Sequence, residues 1–440
     1  MSLAKNVEFL RRLPKLSPIG FAGPLRARER GPRSPLVEVT GFGTNPGALK
    51  MFTYVPSTAP HRPALVVVLH GCGQTASGYD LGAGWSTLAK RYGFALLLPE
   101  QQVINNAGTC FNWFSPEDVA RDAGEACSIR QMIARMVADH GISRRRVYVT
   151  GLSAGGAMTM AMLATYPEVF AGGAVIAGLP FGIAGNMREA LQGMMQSSPR
   201  PAPELGDLVR NVSRYRGPWP KLSVWHGSAD RTVHPGNADE IVKQWLDLHH
   251  LPPAPMAEGT VDGYPRQVWW NSDGETLVES YTITDMAHGT PLGVAESDER
   301  YGISGAFMIE AGISSSYHIA KFFGLTERVR QPKAASASAK LIPAVSPLTA
   351  ARVEPAKVLP LTPADQRPKP QPAKAEASKP KAAKPESTRL ESANSHSANS
   401  HSAEAHSAGP ESAKPQAAKW RKIDVGAVIA RALSAAGLLK

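Results

Sequence analysis

The chain has no run of about 18 apolar residues, the length a membrane-crossing helix needs. Its cysteines are Cys72, Cys110 and Cys127, too few for a dense disulfide framework or a thiolate metal cage. It also lacks a dense Arg/Lys patch interleaved with aromatics. The formal charge of +11 therefore reads as solubility or weak attraction to an anionic surface, and no nucleic-acid partner is implied. The N-terminal stretch MSLAKNVEFLRRLPKL is basic, but it has no uninterrupted apolar core and no A-x-A cleavage site. No standard secretory signal is legible there.

What is present is unevenly distributed. The 37 prolines and 40 glycines are enough to imply an unfolded portion, and composition breaks sharply after YHIAKFFGL. Residues 329–418 are Ala, Pro, Lys, Ser and Glu with almost no aromatics, and include the near-repeat SANSHSANSHSAEAHSAG. Such a segment cannot bury enough apolar surface to offset its chain entropy, so it is predicted to be a disordered linker. Its histidines read as part of a polar repeat rather than as metal ligands. Residues 419–440 carry helical periodicity again, with Ile423, Val425, Ile429, Leu433 and Leu439 covering most of the surface. A helix this apolar is predicted to dock on the folded body of the chain, on another subunit, or on a lipid or other apolar surface. Residues 1–38 read as a basic, proline-containing arm with one short helix near Val7–Leu13.

Between these ends, in residues 39–328, strand-like and helix-like patterns alternate. ALVVVLHG, FALLLPE, RRVYVTG, GGAVIAG, KLSVWHG and VESYTIT read as strands, the first a near-continuous apolar run suited to burial on both faces. GWSTLAKRYG, GEACSIRQMIARMVADHG, AGGAMTMAMLATYP and GNADEIVKQWLDLHH read as helices. The alternation predicts an α/β domain with a mostly parallel sheet and helices on both faces. Phe181–Pro220 is too irregular to assign.

One junction carries chemistry. GLSAG, Gly151–Gly155, fits G-x-S-x-G and lies between a buried strand and a helix, the context in which that motif has meaning. The glycines permit close backbone approach, so Ser153 can occupy a strained turn with its hydroxyl outward, beside the free N–H groups of a helix start. The competing reading is a passive N-cap serine.

A serine nucleophile needs a base, and the base needs an orienting carboxylate. The strand–elbow–helix pattern resembles α/β-hydrolases, where acid and histidine follow the serine in that order at strand ends. Asp230, in KLSVWHGSADRTV, and His288, in YTITDMAHGTPL, meet that requirement. Asp285 ranks second for the acid, ahead of Asp207, Asp239, Asp262 and Asp273, which lie in helix-like or hydrophilic stretches. His226 ends the strand before Asp230 and reads as structural, while His234, His249, His250 and His318 compete as bases. LHGCGQ follows the first buried strand, where this architecture places an oxyanion donor. The backbone amides of Cys72 and Ala154 are the expected pair, with His70 bracing the loop.

These blocks, with CFNWFSPED, HGSADRTVHPGNA, AHGTPLG and GISSSYHIAKFFGL, resemble the poly(3-hydroxybutyrate) depolymerase family of esterases over roughly Val37–Leu325. Feruloyl and acetylxylan esterases are its relatives. The resemblance implies an α/β-hydrolase fold, and its triad falls on Ser153, Asp230 and His288. It also implies a Cys72–Cys110 disulfide with Cys127 left free on its helix; three reduced thiols are the alternative. Trp113 and Phe114 either line the acyl pocket or pack in the core. An extracellular location follows from the resemblance, a cytoplasmic one from the missing signal.

The implied activity is ester hydrolysis through an acyl-enzyme, with no metal and no organic cofactor. The implied substrates are poly(3-hydroxybutyrate) or short hydroxyalkanoate oligomers. Secreted depolymerases of this family carry a C-terminal substrate-binding domain, whereas here a low-complexity tail stands in its place. That departure keeps feruloyl or acetyl esters open as substrates. A vestigial hydrolase that binds polyester or membrane surfaces is the reading from another class.

Overall fold

The computed structural model describes residues 33–295 and 299–327. The 329–418 linker, the 419–440 helix and the arm up to residue 32 lie outside the described residues.

The chain enters the sheet at β1 (Val37–Val39), two residues ahead of the 38/39 boundary drawn from composition. It is followed by β2 (Lys50–Tyr54), and Val37 pairs antiparallel with Thr53. Next come β3 (Leu65–Leu69), the helices α1 (Ala76–Ala83) and α2 (Trp85–Tyr92), and β4 (Ala95–Glu100). The middle of the domain runs α3 (Gly124–His140), β5 (Val147–Leu152), α4 (Ala154–Thr165) and β6 (Gly172–Ile176). Two short helices, α5 (Met187–Met195) and α6 (Ala202–Arg210), precede β7 (Lys221–Gly227) and α7 (Gly236–His249). The last part holds β8 (Ala257–Val261), β9 (Tyr264–Trp270) and β10 (Thr276–Ile283), then β11 (Thr290–Leu292), β12 (Met308–Glu310) and α8 (Ser315–Phe322).

Ten of the described strands form one sheet, ordered β1-β2-β4-β3-β5-β6-β7-β10-β9-β8. The inner run from β4 to β10 is parallel throughout, and the two margins turn antiparallel. This is the α/β-hydrolase arrangement.

Strand periodicity splits the core in two. Leu65, Val67 and Leu69 of β3 point to one face with Leu97 and Val149, and there meet Met132 of α3, Met158 of α4 and Trp245 of α7. Val66 and Val68 point to the other, with Leu96 and Tyr148, against Trp85 and Leu88 of α2 and Tyr317 of α8. Both sides of β3 are dry, which is why the sequence there shows no alternation. Each such side chain contributes roughly 1.5–3 kcal/mol by leaving water.

The segment that resisted assignment, Phe181–Pro220, contains α5 and α6. Each is nine residues long, too short for periodicity to stand out.

Candidate active site

Ser153 stands between β5 and α4 with φ 57° and ψ −119°, a conformation that costs a non-glycine residue roughly 1–3 kcal/mol. Its amide donates to the Ile176 carbonyl at 2.9 Å, and its side chain caps no helix amide. The N-cap reading therefore fails, because a capping serine needs extended backbone and a hydroxyl aimed at the first turn. The flanking glycines are sterically required. A Cβ on Gly155 would come 2.3 Å from the Leu69 carbonyl oxygen, and one on Gly151 would come 2.4 Å from Gly155 itself.

Asp230 follows β7 in a turn closed by its own amide on Gly227 O. Its Oδ1 accepts the amides of Thr232 and Val233 at 2.8 and 2.9 Å, which fixes the carboxylate plane. Its Oδ2 lies 2.6 Å from Nδ1 of His288, which sits between β10 and β11. Both side chains are buried. Because the carboxylate can only accept, Nδ1 of His288 carries the proton and leaves Nε2 as the ring's free base. Burial alone would push the Asp230 carboxyl up. Hydrogen bonds from His226 and His288 outweigh it and hold the carboxyl well below the usual carboxylate range.

His226 was read from sequence as structural, and the structure gives it a direct contact with the acid. Its Nε2 lies 3.2 Å from Asp230 Oδ2 and 3.0 Å from the Val233 carbonyl.

The competing candidates fall elsewhere. Asp285 is exposed, with φ 58°, and its amide bonds Ser228 Oγ. Asp262 pairs with His318 at 2.9 Å, and neither lines the cleft that holds Ser153. Asp207 bonds Arg210, His249 faces the Pro220 carbonyl, and His234 accepts the Gly236 amide. Asp239, Asp273 and His250 are exposed and line no part of that cleft.

Ser153, Ala154 and His288 share this cleft with Cys72, Cys110, Trp113 and Phe114. In the turn after β3, the amide of Gly71 is taken by Gln74 Oε1 and that of Gly73 by Gly108 O and Thr109 Oγ1. The Cys72 amide between them has no such acceptor among the described residues. The Ala154 amide opens α4 and so lacks an intrahelical partner. Cys72 and Cys110 form a disulfide, with Cα atoms 4.3 Å apart. Cys127 is a free thiol on α3, half-buried, and burial pushes its pKa up. Trp113 is both buried in the core and part of the cleft wall, with the half-buried Phe114 edge-on to it at 5.7 Å.

His70 braces this wall. Burial brings its imidazole down to about 4, so the ring is neutral. It accepts the Gln101 amide at Nε2 and donates from Nδ1 to Gly71 O. Gln101 in turn bonds the Cys110 carbonyl and the buried Glu125. Glu125 also accepts the backbone and side-chain N–H groups of Asn112 at 2.9 and 2.8 Å. Sequence reasoning did not find Glu125. At the first turn of α3 it looks like an ordinary dipole-compensating acid.

The comparisons decide the family. Residues 49–260 match the family described as Esterase PHB depolymerase. The chain is 47% identical over 291 residues to poly(3-hydroxyalkanoate) depolymerase C of Paucimonas lemoignei, covering 66% of this chain and 70% of that one. The chain belongs to the PHB depolymerase family of esterases. This esterase is also 33% identical over 267 residues to an acetylxylan esterase of Coprinopsis cinerea, covering 59% of this chain and 70% of that one. Among solved structures it is similar to an acetyl xylan esterase from Aspergillus awamori, at 25% identity and TM-score 0.56. That alignment covers 66% of this chain and 99% of the other. The esterase is a carboxylic-ester hydrolase. Among its described residues, no helix is long and apolar enough to cross a membrane.

Proposed function

We propose that this esterase works through a Ser153–His288–Asp230 triad, with the amides of Cys72 and Ala154 as oxyanion donors. His288 Nε2 takes the hydroxyl proton as Ser153 Oγ attacks the ester carbonyl. The tetrahedral oxyanion is held by the two amides, each worth about 3–4 kcal/mol in sites of this kind. The alkoxide leaves with the proton from His288, and a water, deprotonated by the same ring, then releases the acid from Ser153. The observation that carries the reading is the 2.6 Å His288–Asp230 bond within the cleft that holds the strained serine. The ionised state of Asp230 suits it, because an anionic acceptor steadies the imidazolium formed during attack.

For substrate, we propose hydroxyalkanoate polyester or its oligomers. The similarity to a protein named poly(3-hydroxyalkanoate) depolymerase supports this, as does a cleft wall rich in Leu, Met, Phe and Trp side chains. An extracellular setting is proposed on the Cys72–Cys110 disulfide, a bond that oxidising compartments preserve.

The test is hydrolysis of p-nitrophenyl butyrate and of 3-hydroxybutyrate trimer by wild type and Ser153→Ala. Cleavage of both by wild type, lost in the variant, is the expected result. Cleavage of the aryl ester alone would move the natural substrate toward feruloyl or acetyl esters. Turnover surviving in Ser153→Ala would sink the triad.

A further inference from the structure

Gln74 sits in the turn between β3 and α1, its amide on the Gly71 carbonyl at 3.3 Å and Thr75 capping the helix behind it. Its side chain folds back over the same turn, where Oε1 accepts the Gly71 amide at 2.8 Å. That amide can only donate, so the orientation of the carboxamide is fixed. The oxygen faces the backbone, and the NH2 group is the end left over. Among the described residues no acceptor takes Nε2.

This donor belongs to the reaction cleft. Gln74 lines it together with Cys72, Ser153 and His288. A Cβ on Gly71 would lie 3.2 Å from Gln74 Oε1 and 3.4 Å from Cδ2 of Leu152, the residue before Ser153. The bare glycine thus brings the carboxamide and Leu152 together beside the elbow. The same wall carries Trp113, Phe114 and Leu179, against which a carbonyl deprived of water needs a donor.

With its acceptor already used, the Gln74 side chain offers N–H groups and nothing else. A ligand whose polar atoms are all acceptors matches it. An interior unit of a polyester is such a ligand, having ester oxygens and neither O–H nor N–H. A hydroxyl-rich chain brings donors as well, and Gln74 satisfies none of those.

We propose that Gln74 is a specificity-determining residue whose Nε2 donates to a carbonyl of the ester next to the one being cleaved. The cleft then takes a chain of esters in preference to a single one. This rests on Ser153 being the nucleophile and on a hydroxyalkanoate chain as substrate.

The test compares kcat/KM for the methyl ester of 3-hydroxybutyrate trimer, an uncharged chain of esters, with that for isopropyl butyrate, a single ester of a secondary alcohol. Both are measured in wild type, Gln74→Glu and Gln74→Met. Gln74→Glu keeps an oxygen for the Gly71 amide and loses only the donor. Gln74→Met loses both, carries no charge, and decides the matter if the glutamate variant does not fold. The ratio is taken within each protein, so a general loss of activity cancels. Wild type should favour the trimer ester, and each variant should cut the trimer-to-butyrate ratio about fivefold, the worth of one hydrogen bond. A ratio within about twofold of wild type in folded Gln74→Glu overturns the proposal. So does a wild type that leaves the trimer ester intact, a result that ends the polyester reading with it. Failure of the triad looks different: both esters would still be cleaved in Ser153→Ala.

Discussion

His226 Nε2 approaches the same Asp230 Oδ2 that bonds His288, at 3.2 Å against 2.6 Å. One buried carboxylate oxygen therefore serves two imidazoles, while the other oxygen is held by backbone amides. Removing His226 leaves a buried charge with one partner fewer, and His226→Phe should cost about 1–3 kcal/mol in urea unfolding.

The same carboxylate sets an acid limit. Its pKa is lowered by folding, so the stability it contributes is fully present above the ordinary carboxylate pKa of about 4. That contribution is lost as pH falls from there toward the folded-state value. Asp230→Asn should flatten this part of the stability–pH curve. It should also cut kcat about 10⁴-fold, because the amide favours the wrong imidazole tautomer. An unchanged acid limb in pH-dependent melts would count against the assignment.

Ser153 stores strain that glycine would release, since positive φ carries no penalty without a Cβ. Ser153→Gly is expected to be inactive yet more stable than wild type by up to about 1 kcal/mol in thermal unfolding. A destabilised glycine variant would show that the hydroxyl holds the elbow together.

Glu125 has the opposite linkage to Asp230. Burial, and then the charge of Asp118, push its carboxyl up to about 8. Between about pH 4.5 and 8 the folded chain keeps a proton the unfolded chain has released, so stability falls as pH rises through that window. Glu125→Gln should remove this slope when urea midpoints at the two ends are compared. A slope that persists in the variant would place its origin elsewhere.

The disulfide closes a loop of sequence separation 38 that includes Gln101 and the turn before Trp113. Chain entropy gives such a closure about 3–4 kcal/mol. Reduction should lower the melting temperature accordingly and slow ester turnover beyond that loss, because Cys72 supplies a proposed oxyanion amide. Equal turnover in folded, reduced and oxidised protein would remove Cys72 from that role.

The central strands were legible because burial on both faces leaves continuous apolar runs such as Leu65–Leu69. Ser153, Asp230 and His288, the proposed triad, were singled out because each follows a segment that reads as a strand. The outer strands β8 and β9 were not, since their solvent-facing residues carry no comparable signal. Nor were α5 and α6, each nine residues long and too short for periodicity to stand out. The role of Glu125, and the bond from His226 to Asp230, were not legible for a different reason. Their meaning lies in partners far along the chain or folded back on it, Asp230 for one, and Gln101 with Asn112 for the other.

Every residue of α4 is buried, so the helix behind the serine has no wet side. Its amides, from Ala157 onward, have no local route to water. Deuterium should enter them only when the whole domain opens, at the slowest rate in the molecule. The proposed nucleophile is thus seated on the part of the protein expected to let go last.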